Sequence, residues 1–192
     1  MGNILNIDNV NIESLKDKTF LIDTNILLWA FYPSSIRPND NDKCLKYANF
    51  VYQLLYDNHI VITAYNFCEA LFVIEKIRYN TFKRVHNSNI RLKQFRKIKD
   101  ERLRVYGDMF LFYTLIQQFT GVSLVDQTLK INIIKDFIEN YNEHLLDFFD
   151  YFLSDLSDNN DLPIITDDAD FKSKSISSDI YTLNSRLYNH NS

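Results

Sequence analysis

Five short apolar runs punctuate the chain. They are Thr19–Asp23 (TFLID), His59–Thr63 (HIVIT), Val122–Val125 (VSLV), Leu162–Thr166 (LPIIT) and Ile180–Leu183 (IYTL). Each is too short for a helix and, for the most part, does not alternate apolar with polar residues. Such runs read as strands buried on both faces. The stretches between them carry helical spacing. A helix is predicted over 25–32, followed by a polar loop bounded by Pro33 and Pro38, and another helix over 42–57, with Leu45, Ala48, Val51, Tyr52 and Leu55 on its apolar face. A third covers 66–79, with Ala70, Val73, Ile74 and Ile77 inward; one or two more fill 89–119, and two follow over 126–139 and 141–157. Alternation of strand and helix predicts an α/β fold: a central parallel sheet of four to five strands with helices on both faces. Neither an internal repeat nor a flexible linker interrupts the pattern. Residues 1–192 are expected to form a single domain, with an extra helical insertion around 80–120.

Charge divides the chain unevenly. Between Lys76 and Arg104 lie eleven Lys or Arg and only Asp100 and Glu101 as acids, a net of +9, while the remaining ten basic and 23 acidic residues give −13. Phosphate backbones attract such a segment. Lys83, Arg84, Arg91, Lys93, Arg96, Lys97 and Lys99 are the expected nucleic-acid contacts. Tyr79, Phe82, His86 and Phe95 are interleaved, and exposed aromatics stack on unpaired bases. The competing readings are a solvated helix face whose aromatics point into the core, and a docking face for an acidic protein.

Composition narrows the setting. Apolar residues make up 46% and charged residues 24%, with three Gly and three Pro, which is globular and rich in regular structure. The two cysteines, Cys44 and Cys68, belong to no Cys/His cluster, so neither a disulfide framework nor a zinc site is indicated. No run approaches the length of a membrane span, and the first residues lack the basic and apolar regions of a secretion signal. A myristoylation reading of MGNILN fails at Asn6, where Ser or Thr is wanted. A soluble, reducing, cytoplasmic protein is expected.

Ligands of parallel sheets gather beyond the carboxyl ends of the strands, and that is where the acids stand. Asp23 ends the first run, and Glu69 lies six residues beyond Thr63. Asp167 and Asp168 end the LPIIT run, with Asp170 close behind, and Asp147 and Asp150 share one strip of the helix expected over 141–157. Carboxylates converging on one cleft stay ionised together only beside cations. An oxygen-only set without His or Cys suits Mg²⁺ or Mn²⁺.

The ordered motifs LIDTN (21–25), T-x5-E (Thr63 to Glu69), a helix aspartate at Asp150 and, sixteen residues on, Thr166 in ITDDADF (165–171) resemble a PIN domain. The resemblance spans roughly 19–183, and residues 80–120 have no counterpart in a minimal domain of that kind. It implies an α/β/α sandwich and a Mg²⁺- or Mn²⁺-dependent ribonuclease. Carried over by position, the metal-holding and catalytic residues are Asp23, Glu69, Asp150 and Asp168. Asn25 and Thr166 are polar neighbours, Asp147 is the substitute for Asp150, and Asp170 is an auxiliary acid; Asp167 is read as facing solvent. The implied partners are single-stranded RNA and, for the toxin half of a toxin–antitoxin pair, an antitoxin or other protein; self-association is left open. Plainer readings exist for each acid. Asp23 can serve as a helix N-cap, Glu69 can close a capping box with Asn66, and Asp150 can lie on a solvated strip. Two other functions compete: a PIN-like module that binds RNA or protein without cutting, and a haloacid-dehalogenase-type phosphatase. The latter needs an acid where Asn25 stands.

Overall fold

The computed structural model describes residues 2–36, 38–126 and 130–188. Six strands form one sheet: β1 (Ile4–Asn6), β2 (Thr19–Ile22), β3 (His59–Thr63), β4 (Val122–Val125), β5 (Ile164–Ile165) and β6 (Ile180–Thr182), in the spatial order β1-β6-β5-β2-β3-β4. Every pairing is parallel. The expected sheet is present with one strand more than predicted. Ile4–Asn6 was not marked by the apolar pattern because it is a three-residue edge strand, only partly buried, with a single neighbour.

Alternate side chains of the central strand β2 feed two cores. Phe20 and Ile22 join a cluster with the helices α1 (Thr24–Phe31), α2 (Asn41–Leu54), α3 (Ala64–Val85) and α5 (Lys99–Gln117). Leu21 faces the opposite cluster, built on α7 (Phe148–Asn160) and flanked by Ile133 and Phe137 of α6 (Ile131–Glu139). The sheet is therefore covered on both faces, which is why its strands read as continuous apolar runs. The short helices α4 (Leu92–Phe95) and α8 (Ser185–Tyr188) complete the set described.

Several boundaries differ from the sequence reading. Helix α3 runs to Val85 and does not stop at 79, so the first part of the expected insertion is a continuation of a core helix. Residues 141–147 lie outside any helix, because the Asp147 side chain accepts from the backbone N–H groups of Phe149 and Asp150 and so starts α7 at Phe148. The helix expected over 126–139 begins at Ile131, and residues 127–129 fall outside the described ones. The inward face of α2 is also turned. Cys44, Tyr47, Ala48, Val51 and Leu54 are buried, and Leu45 and Tyr52, expected inside, are exposed. Tyr52 still donates its hydroxyl to the Ala30 carbonyl at 2.5 Å.

This rotation gives a direct test. Leu54 is 0% exposed and Leu45 is 43% exposed. Leu54→Ala should cost about 2–5 kcal/mol in urea unfolding, and Leu45→Ala should stay within about 0.5 kcal/mol of the parent. Similar losses for the two would restore the face read from the sequence.

Candidate active site

Sheet register sets the site. Ile22 pairs with Ile165, so the next residues, Asp23 and Thr166, leave the sheet side by side. The Asp23 amide donates to the Ile165 carbonyl at 3.0 Å, and Thr166 donates its hydroxyl to Asp23 Oδ2 at 2.9 Å. The Thr166 hydroxyl in turn accepts from the Asp168 amide at 3.0 Å. Asp168 Oδ1 accepts from the Asp170 amide at 2.8 Å and opens the 3-10 turn Ala169–Ser173. Asp23 occupies the N-cap position of α1, but its side chain makes no capping bond. Its carboxylate, buried with Thr24 and Thr166, points elsewhere.

The other flank is built by β3 and α3. Thr63 N-caps α3 by accepting from the Asn66 amide at 3.1 Å. Glu69 lies further along the helix, and its Oε2 accepts from the Thr24 hydroxyl at 2.6 Å. Thr24 also accepts from Asn66 Nδ2 at 3.0 Å. Glu69 thus reaches across to α1, and the capping-box reading fails because Thr63, not Asn66, is the cap. Thr24 and Asn66 were not among the expected site residues. Their signal was present but faint: a small hydroxyl beside Asp23, and an amide three residues beyond the strand end.

Asp150 stands in the first turn of α7, on the opposite face of the sheet from α1 and α3, and is partly buried. Burial pushes its carboxyl up to about 9, with further upward contributions from the charges of Asp23, Asp147, Asp168 and Glu69. Burial likewise raises Asp23 to about 7, against the bond from Thr166, and Asp168 and Glu69 push it further. Burial and the charge of Asp168 raise Asp170 as well. The acids expected from sequence therefore share one electrostatic site, as like charges in a poorly solvated corner. None of Asp23, Glu69, Asp150 or Asp168 has a Lys or Arg partner among the described residues.

The remaining expected residues divide. Asp147 is an exposed N-cap, so it does not share a helix strip with Asp150. Asn25 is exposed and lines a cleft of about 550 Å³ that Asp168 and Asp170 also line. Asp167 does not face solvent: it pairs with Lys43 and accepts from the Tyr47 hydroxyl at 2.9 Å. In the basic segment, Lys83 and Arg84 fall in the last turn of α3, about 20 Å along that helix from Glu69 at 1.5 Å per residue. Arg91, Lys93, Arg96, Lys97 and Lys99 are exposed on and around α4 and the start of α5. Arg96 is paired with Glu75 through Nε at 2.6 Å and Nη2 at 2.5 Å. The interleaved aromatics are structural rather than free: Phe95 is buried against Tyr79 and Phe82, and Tyr79 donates to the Ile90 carbonyl at 2.7 Å.

In donor chemistry the set fits a hard divalent cation: oxygens only, with Asp23 and Asp150 desolvated and no Lys or Arg partner among the described residues. Its spacing is open. Among the described residues no three His, Cys, Asp or Glu side chains are arranged to hold an ion as they stand.

The raised carboxyls fix the sign of a pH effect. In the unfolded chain these acids ionise near 3.8, and in the folded chain Asp23 does so only near 7. Between those values the folded state binds the extra proton, so its stability is greatest at the acid end and declines as pH rises. In EDTA the melting temperature should drop from about pH 5 to pH 8, and Asp23→Asn should flatten the drop. A wild-type melting temperature that rises across this window would contradict the crowding of acids.

No protein-family model matches the chain, and no curated protein matches its sequence. Among solved structures, one with a related chain path is that of VapBC2 from Rickettsia felis bound to a DNA fragment from their promoter. It is 14% identical, with a TM-score of 0.49, over 85% of this chain and 98% of that one. Likeness at this level assigns neither family nor function.

Proposed function

We propose that the chain is a PIN-like, Mg²⁺- or Mn²⁺-dependent endoribonuclease that cuts single-stranded RNA at Asp23, Glu69, Asp150 and Asp168. The observation that carries this reading is the crowding of these four carboxylates beyond the sheet, with two of them raised and none paired with a cation among the described residues. A site that repels its own charges is suited to a dication and to the developing charge of a phosphodiester under attack. When bound, such an ion supplies hydroxide from water near neutral pH and steadies the leaving oxygen. Asp23 and Asp168, on adjacent strand ends, would hold it. Thr166 fixes the Asp23 carboxylate, Thr24 fixes Glu69, and Asp150 closes the set from the far face. Asp170 and the exposed Asn25 sit at the rim as auxiliary groups. Lys83, Arg84, Arg91, Lys93, Lys97 and Lys99 would hold flanking phosphates. Arg96, tied to Glu75, contributes less. The narrower form of this reading is the toxin of a toxin–antitoxin pair, working in the cytoplasm and held by a protein partner.

The open spacing of the acids favours one second reading: the same fold binding RNA or protein without cutting it. The phosphatase reading gains nothing, since Asn25 is exposed and offers no acid.

Two measurements test the proposal together. Mn²⁺ should raise the melting temperature by mass action, and Asp23→Asn with Asp168→Asn should abolish the shift. Wild type should cleave a labelled single-stranded RNA with Mg²⁺ or Mn²⁺ and stop in EDTA, and either single variant should lose about a hundredfold or more, by analogy with loss of a preorganised stabilising group. Glu69→Gln should be similarly damaging, since Glu69 is no cap. Cleavage in EDTA would rule the mechanism out; Mn²⁺ binding without cleavage would favour the binder.

The basic segment is tested by salt. Lys93, Lys97 and Lys99 have no acid partner among the described residues. Changing all three to Gln should flatten the log–log salt dependence of RNA binding by about two units, at about 0.7 per neutralised phosphate on single strands. An unchanged slope would leave the segment to an acidic protein partner.

A further inference from the structure

Beside the acids lies the cleft of about 550 Å³ that Asn25 and Asp168 line from its inner edge. This falls in the ordinary range of small-ligand sites, about 300–1,000 Å³. Its wall on α1 carries Trp29, the single tryptophan of the chain, partly exposed. The indole is braced from behind by Tyr47, with ring centroids 5.5 Å apart, and the Lys43 ammonium lies 5.8 Å from its centroid. Lys43 is held in place by its bridge to Asp167. Arg186, in α8, also lines the cleft. Asn184 anchors that stem, accepting from the Arg186 amide at 3.1 Å and donating to the Asp167 carbonyl at 2.6 Å. The Arg186 guanidinium has no carboxylate partner among the described residues.

We infer that this cleft is a nucleotide subsite for one residue of single-stranded RNA next to the scissile phosphate, with the base stacked on Trp29 and the adjoining phosphate held by Arg186 and Lys43. The inference rests on the ribonuclease reading for the position of the cut, but the binding it describes is independent of cutting. Three features select this occupant. A braced indole offers a flat face of the kind on which unpaired bases stack. Two cations at the rim, one without an internal partner, match a phosphate rather than a neutral ligand. Two further carboxylates in the cleft, Asp40 and Asp170, can accept from the exocyclic amines of a base, which a bare anion does not offer. The subsite separates two tasks: this cleft takes the nucleotide at the cut, and the basic segment, at the far end of α3, takes phosphates further along.

The test uses the full chain in EDTA, where nothing is cut. An end-labelled ten-residue oligoadenylate, or its 2′-deoxy analogue, is titrated by anisotropy, and the emission of the single indole is followed in the wild type. Binding should quench that emission saturably. Trp29→Leu should weaken binding about tenfold, and Trp29→Phe, which keeps a stacking ring, should recover most of it. Arg186→Gln should weaken binding by a few-fold and reduce the salt slope by about 0.7. The Mn²⁺ shift in melting temperature should be the same in Trp29→Phe, Arg186→Gln and wild type, which shows that each variant is folded with its acids in place. Unchanged affinity in Trp29→Leu and Arg186→Gln, with no quenching in wild type, overturns the subsite. If those variants lose RNA while the wild type fails to cleave under any metal, the subsite stands and the ribonuclease reading falls. If cleavage depends on Asp23 but affinity ignores Trp29, the reverse holds.

Discussion

Four carboxylates brought into one poorly solvated corner repel one another, and the rest of the molecule is arranged to hold them there regardless. Each is supplied by a different part of the chain: the end of β2, the first turns of α3, the start of α7 and the residues after β5. Bringing them together requires strands β3, β2 and β5 to lie side by side and helices to leave the sheet on both faces. Burial works against the charged forms of Asp23 and Asp150, and the charges of the neighbouring acids add to it. What offsets this is packing below the site. Phe20, Leu21, Ile22, Ile60, Ile62, Ile164 and Ile165 are almost wholly buried, so the strands that deliver the acids are anchored in both cores. The hydroxyls of Thr24 and Thr166 then fix individual oxygens without adding positive charge.

How much of this could be read from the chain depended on how strongly each feature is tied to local pattern. The central strands were legible because burial on both faces leaves little room for polar residues, and an acid at the end of such a run stands out. The charges of Glu69, Asp168 and Asp23 act on one another and on Asp150, but the spacing of the four acids is open. Where burial is partial, pattern fails. Strand β1 has three half-covered residues and no run to mark it. The face of α2 was misjudged because Leu45 looks like core by type, although register places Cys44 and Tyr47 inside. Asp147 and Asp150 look like neighbours on one helix strip until the cap is recognised: a residue that starts a helix is no longer on its surface. Thr24 illustrates a different limit. Its role is a bond to Glu69, 45 positions away, and nothing local announces it.

The basic segment is plain in its charge and misleading in its aromatics. Tyr79, Phe82 and Phe95, which look like a stacking surface when read along the chain, pack against one another and knit the end of α3 to α4. A short helical excursion of this kind buries little surface on its own, so its few rings are needed for its own small core.

The cations of the basic segment divide in the same way. Arg78 is bound to Asp108, which also accepts from the Tyr32 hydroxyl at 2.6 Å, so α1, α3 and α5 meet at one carboxylate. Burial alone would raise the Asp108 carboxyl; Arg78 and Tyr32 hold it below the ordinary range. Arg96 is clamped on Glu75, and Arg104 pairs with Glu101 in the next helix turn. Three of the eleven basic residues thus work as internal fasteners, and each takes an acid out of circulation as it does so. The surplus that gives the segment its positive field comes chiefly from Lys83, Arg84, Arg91, Lys93, Lys97, Lys99 and Arg102. A flexible, exposed lysine keeps its field available to a passing polyanion, whereas a paired arginine contributes mainly order. The fasteners keep that field at a fixed distance from the acids, because α3 is a single unbroken helix with Glu69 near one end and Lys83 and Arg84 at the other. The chain thus keeps its positive field at the periphery and its crowded acids beyond the sheet, apart from one another.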